Sequence, residues 1–107
     1  MEINEYQKLA MTTLNREIPQ KDLIVNAALG LSGEVGEVND LLKKHLFQGH
    51  ELNKEELINE LGDIAWYLAE AATALDIPLE EILKRNIEKL KKRYPDGFSS
   101  EKSINRD

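Results

Sequence analysis

The amino-acid sequence reads as all-α: a four-helix bundle-like single domain, completed by oligomerisation. Three observations carry this reading. Apolar residues recur at steps of three and four along four successive segments. Only 3 Pro and 6 Gly are present, too little turn material for an all-β fold. A chain of 107 residues, 41% of them hydrophobic, is enough for one small core and no second domain. The domain is expected over residues 1–98, with 99–107 a polar tail, and neither an internal repeat nor an interdomain linker interrupts it.

The first helix is predicted over about residues 2 to 17, where Ile3, Tyr6, Leu9, Ala10 and Leu14 share one face before Pro19 ends it. The second is predicted from about 22 to 47, with Ile24, Ala27, Ala28, Leu31, Val35, Val38 and Leu42 in its apolar sector and Gly49 closing it. The third follows Asn53, a good N-cap with Glu56 three residues on, and ends near Leu75. The fourth opens at Pro78 and stops at the Pro95-Asp96-Gly97 turn. The run from Ile64 to Leu75 is apolar almost all round apart from Glu70 and Thr73. One small bundle can hardly bury such a helix, so the third helix is expected to pack on another copy, in a homodimer or homotetramer.

Charge narrows the function. A net charge of −6 disfavours nucleic-acid backbone or anionic membrane as partners. With no Cys there is no thiol nucleophile, zinc-thiolate site or disulfide framework. No apolar run reaches the length of a membrane span, and Met1-Glu2-Ile3-Asn4-Glu5 lacks the character of a secretory signal, so a cytoplasmic location is expected. Residues 34–70 hold nine acids against three bases, whereas residues 84–93 hold six bases against Glu88. The two stretches either pair with each other or hold a polyanion through a cation.

At about 100° per residue, Glu34 and Glu37 fall on the apolar flank of the second helix, and Glu60 and Asp63 fall in line with Tyr67 on the third. Asp40 points away, and Trp66 faces off the acidic line toward core or interface. Four carboxylates at an apolar edge must be protonated, paired with cations or bound to metal. Oxygen-only donors select Mg²⁺ or Mn²⁺, and neither His45 nor His50 has the spacing of a di-iron site. Gly30, Gly33 and Gly36 in the second helix, and Gly62 in the third, each cost roughly 1 kcal/mol against Ala, which close approach of a helix or a ligand would offset. On the fourth helix Asn86, Lys89 and Arg93 form one polar edge, and the two stacked cations suit a phosphate chain.

The segments GLSGEVGEVNDLLKK, ELGDIAWYLA and NIEKLKKRYPDGF resemble the MazG-like all-α nucleoside triphosphate pyrophosphohydrolases over nearly the whole chain. The family pattern is Glu-Glu-x-x-Glu, a spacer, then Glu-x-x-Asp; Glu34, Glu37, Glu60 and Asp63 fill four of its five acidic positions, and Gly33 stands at the first. The resemblance implies Mg²⁺ held by those four residues and phosphates bound by Lys89 and Arg93. Asn86 and Tyr67 would contact the substrate, with Lys44 as a further phosphate contact. It implies cleavage of a nucleoside triphosphate between the α and β phosphates, with Glu37 or Glu34 orienting the water, as housecleaning of the nucleotide pool. Gly33 leaves a second reading open: a non-catalytic helical oligomer that binds nucleotide or a protein partner as a regulator.

Overall fold

A computed structural model describes residues 1–106. Among them are five α-helices and no strand: α1 (Ile3–Ala10), α2 (Leu23–Phe47), α3 (Lys54–Ala74), α4 (Leu79–Arg93) and α5 (Ser100–Ile104). Short 3₁₀ turns occupy Met11–Thr13 and Gln20–Asp22.

An antiparallel hairpin of α2 and α3 is the frame of the molecule. At about 1.5 Å per residue its arms run about 37 and 31 Å. Gly49, at φ 74°, turns the chain out of α2 while the His50 N–H returns to the Lys44 carbonyl at 3.2 Å. Asn53 caps α3 as its position predicts, its Oδ1 accepting the Glu56 N–H at 3.2 Å. At the other end Asp76 takes φ 56°, so that its own N–H reaches Thr73 O and that of Ile77 reaches Ala72 O, both at 3.0 Å. These are the paired bonds of a Schellman motif.

The start of α4 has no local cap, because Pro78 supplies none. Side chains of α1 do this instead. Gln7 Oε1 accepts the Leu79 N–H at 2.7 Å and Asn4 Oδ1 accepts the Glu80 N–H at 3.4 Å. The Gln7 amide also donates to Thr73 Oγ1 and Ile77 O, at 3.1 and 3.2 Å, so one side chain joins α1, the end of α3 and the start of α4.

One expectation is corrected here. The first helix ends at Ala10, not near 17, because other groups take its carbonyls: the Thr12 hydroxyl bonds Leu9 O, the Thr13 hydroxyl and Trp66 Nε1–H bond Ala10 O, and Arg16 bonds Met11 O. Such back-bonding competes with the helix ladder. The buried part of the third helix lies against elements of the same protomer, while Ile58 and Leu61 on it stay exposed. Ala69, Glu70 and Ala72 are at 0% exposure beneath α1 and α2. Within the polar tail, Ser99 Oγ caps α5 by accepting the Lys102 N–H at 3.3 Å.

The core is small and gathers where α1 crosses α3: Ala10, Met11, Leu14, Leu23, Ala69, Ala72 and Leu79, with Trp66 and Ile82 packed against them. Trp66 is thus a core residue. Elsewhere the apolar surface is open, with Leu29 70% and Phe47 79% exposed on α2, and Ile58, Leu61, Ile87 and Leu90 exposed on α3 and α4. The radius of gyration is 17.0 Å, against about 13 Å for a compact chain of this length. No helix among the described residues is long and apolar enough to cross a membrane.

Candidate functional site

The register of the α2–α3 hairpin aligns two columns of side chains. Positions four apart on α2, Asn26, Gly30 and Glu34, meet Glu70, Tyr67 and the Glu60–Asp63 pair of α3 in reverse order. The column runs from a buried polar contact at the core end to carboxylates at the open end.

At the open end, carboxylate oxygens of Glu34, Glu60 and Asp63 lie within 4.8 Å of one another. Glu34 and Glu60 are half-buried and Asp63 is exposed. Glu34 Oε2 is buried with no hydrogen-bond partner, an orphaned acceptor in a group that forms no ion pair among the described residues. The spacing is of the order of twice a bond of about 2.0–2.6 Å between oxygen and a hard divalent cation. The donor set therefore fits such a cation. Glu37, three residues on from Glu34, is exposed and lies outside this group of three. Tyr6 of α1 sits at the margin, its phenol pushed up by burial and then by the Asp63 charge.

Glu60 carries the mark of this crowding. Proton sharing with the Glu34 carboxyl, then burial, then the charges of Glu34 and Asp63, push its carboxyl above the ordinary 4.5. The folded protein holds that proton more tightly than the unfolded chain, so the stabilisation is fully present below about pH 4.5 and is lost as pH rises through the raised value. Thermal unfolding in EDTA is therefore expected to show Glu60→Gln gaining on the wild type as pH is raised from 4 to 8. Mg²⁺ should close the gap by stabilising the wild type. A gap that stays constant with pH would show that the carboxylates do not interact.

One turn further in, the Tyr67 ring lies against the backbone of Gly30. A Cβ built on Gly30 would meet the ring carbons well inside van der Waals contact. Trp66 holds the ring from the side, edge to face at 5.0 Å. Close approach thus explains Gly30, whereas a Cβ on Gly33, Gly36 or Gly62 would meet nothing within 4 Å. Gly30→Ala is expected to destabilise by about 1–3 kcal/mol despite alanine's better helix propensity. Chemical denaturation measures this, and Gly30→Ala with Tyr67→Ala should lose no more than Tyr67→Ala alone.

The basic residues are placed apart from the carboxylates. Lys44 is ion-paired with Asp40 at 2.8 Å, which pushes its ammonium up and the Asp40 carboxyl down. Asn86 is exposed on α4. Lys89 and Arg93 line a pocket of about 300 Å³ between α4 and the C-terminal segment, together with Lys92, Glu101, Lys102, Asn105 and Arg106. No member of the carboxylate group lines it. Of the residues so placed, Asn26, Lys102 and Arg106 were not identified from sequence, and Glu70 was identified only as a break in an apolar run. For Asn26 the available signal is its place four residues before Gly30 and eight before Glu34.

The model of one family, the MazG nucleotide pyrophosphohydrolase domain, matches residues 25–98. That span takes in the three carboxylates and α4 and stops short of α5. The chain is also 37% identical over 82 residues to the Gene 37 protein of Mycobacterium phage L5, covering 73% of this chain and 72% of that protein. No solved structure matches it.

Proposed function

Because the chain belongs to the MazG nucleotide pyrophosphohydrolase family, we propose that it hydrolyses a nucleoside triphosphate between the α and β phosphates, giving a nucleoside monophosphate and pyrophosphate. The observation that carries this is the Glu34, Glu60 and Asp63 group with its orphaned buried oxygen on Glu34. These three residues hold a divalent cation, Mg²⁺ or Mn²⁺, which when bound screens the phosphate charge and polarises the phosphorus. Glu37, exposed on the same helix, orients the water and accepts its proton. The water oxygen bonds to phosphorus as one P–O bond of the α–β bridge breaks. Lys89 and Arg93 take the charge that develops on the leaving pyrophosphate, which requires α4 to meet the acidic group in the working assembly. Tyr67, fixed over Gly30, and Asn86 contact the nucleoside.

That assembly is a homodimer or homotetramer. The exposed apolar residues of α2, Ile24, Val35, Leu42 and Leu46 among them, support a second copy packed along the hairpin, and light scattering measures its size. A role in removing unwanted nucleotides, in the cytoplasm where they occur, accompanies the reaction.

The test is incubation with a panel of ribo- and deoxyribonucleoside triphosphates, with and without Mg²⁺, resolving pyrophosphate from orthophosphate. Monophosphate and pyrophosphate formed only with metal is the expected result. Diphosphate and orthophosphate would refute the cleavage position. Nucleotide binding without turnover would favour the regulator that Gly33 leaves open.

A further inference from the structure

The geometry points to an extension of the phosphate contacts of α4, in which the C-terminal segment adds Lys102 and Arg106 to Lys89 and Arg93 to form a pocket shaped for a diphosphate. The half on the C-terminal segment lies beyond residues 25–98 and so outside the family domain.

The pocket between the two segments is lined by Lys89, Lys92 and Arg93 on one side and by Glu101, Lys102, Asn105 and Arg106 on the other. Five cations face one carboxylate, a net +4 in a chain whose total is −6. On α4 the three bases sit at i, i+3 and i+4, and on the C-terminal side Lys102 and Arg106 sit four apart, so each set already repels itself. The fold then brings the two sets together. Gly97 at φ 92° turns the chain after Pro95, the Tyr94 and Phe98 rings meet at 5.4 Å across the turn, and Ser99 caps α5. Among the described residues the ion pairs are Asp40 with Lys43 and Lys44, and Glu81 with Arg85. None of them engages a pocket cation.

Among the described residues, five cations against one carboxylate give the pocket a local positive field that attracts an anion of high charge. Two guanidinium forks favour phosphate oxygens over a single carboxylate. The volume, about 300 Å³, is at the low end of small-molecule sites, which suits a diphosphate better than a whole nucleotide. The choice of a diphosphate over other polyanions rests on the proposed reaction. Lys102 and Arg106 thereby become contacts for the leaving group's end of the substrate or for released pyrophosphate.

The experiment is calorimetric titration of the full chain with inorganic pyrophosphate in EDTA at fixed ionic strength, with nucleotide turnover measured on the same samples. Losing two charge-assisted contacts, Lys102→Gln with Arg106→Gln is expected to weaken pyrophosphate binding at least about tenfold. Lys84→Gln with Lys91→Gln, which removes equal charge from α4 outside the pocket, should leave binding within about twofold, and Lys102→Arg with Arg106→Lys should largely restore it. Equal losses from both glutamine pairs, no loss from either, or no binding by the wild type would overturn the pocket. Turnover with pyrophosphate affinity indifferent to Lys102 and Arg106 sinks this inference alone. An inert protein whose pyrophosphate affinity follows those two residues sinks the reaction alone.

Discussion

Asp63→Asn is expected to lower nucleotide turnover by about 100-fold or more while making the metal-free protein more stable. Loss of one charged ligand at the cation removes several kcal/mol of transition-state stabilisation, and about 3 kcal/mol corresponds to 100-fold in rate. The opposite sign for stability follows from the same crowding. The Asp63 charge raises both the Glu60 carboxyl and the Tyr6 phenol, so it opposes the charges around it when no cation is present. Turnover at saturating Mg²⁺ measures the first effect, and melting temperature in EDTA measures the second. The rise in melting temperature that Mg²⁺ gives the wild type should also shrink in the variant. Glu37→Gln separates the roles. Lying outside the group of three, it should lose turnover yet keep the Mg²⁺-induced shift. Wild-type turnover in Asp63→Asn would remove the carboxylate group from the chemistry altogether.

What could be read beforehand follows the range of the interactions. The extents of α2 and α3 depend on local periodicity, the Asn53 cap and the Gly49 turn, and all are visible in the chain. Glu34, Glu60 and Asp63 were legible because helical spacing places them on an apolar edge, where an ionised group requires an explanation. Long-range partners were not legible. The end of α1 depends on Trp66, 56 residues away, taking the Ala10 carbonyl. The start of α4 depends on Gln7, 72 residues away. The cover that α3 finds within the protomer was not legible for the same reason, since it depends on where α1 ends and how it crosses α3. The C-terminal pocket had no periodic signal, because five residues of helix after a turn leave too short a pattern to read.

Asn26→Ala is expected to be among the most destabilising substitutions on the hairpin, at about 3 kcal/mol. Glu70 is at 0% exposure, and both its carboxyl oxygens accept from the single Asn26 Nδ2, at 3.0 and 2.8 Å. No other side chain donates to it among the described residues. Removing the amide strands a carboxyl in the core, whose desolvation is then uncompensated, whereas removing both partners together leaves an apolar contact of similar shape. Asn26→Leu with Glu70→Met should therefore recover most of the loss suffered by Asn26→Ala. Urea unfolding of the wild type, Asn26→Ala and the double variant tests this, with equal slopes required for the comparison. The pair also determines how the open end of the column is used. Asn26 and Glu70 fix the register in which Gly30 meets Tyr67 and Glu34 meets Glu60 and Asp63, because a hairpin of two helices can slide only by breaking a buried polar contact. A double variant that regains stability but no longer gains from Mg²⁺ would show that contact acting as a register pin for the carboxylates two turns away. Full recovery of the Mg²⁺ response would assign the register to the packing of Tyr67 on Gly30 alone.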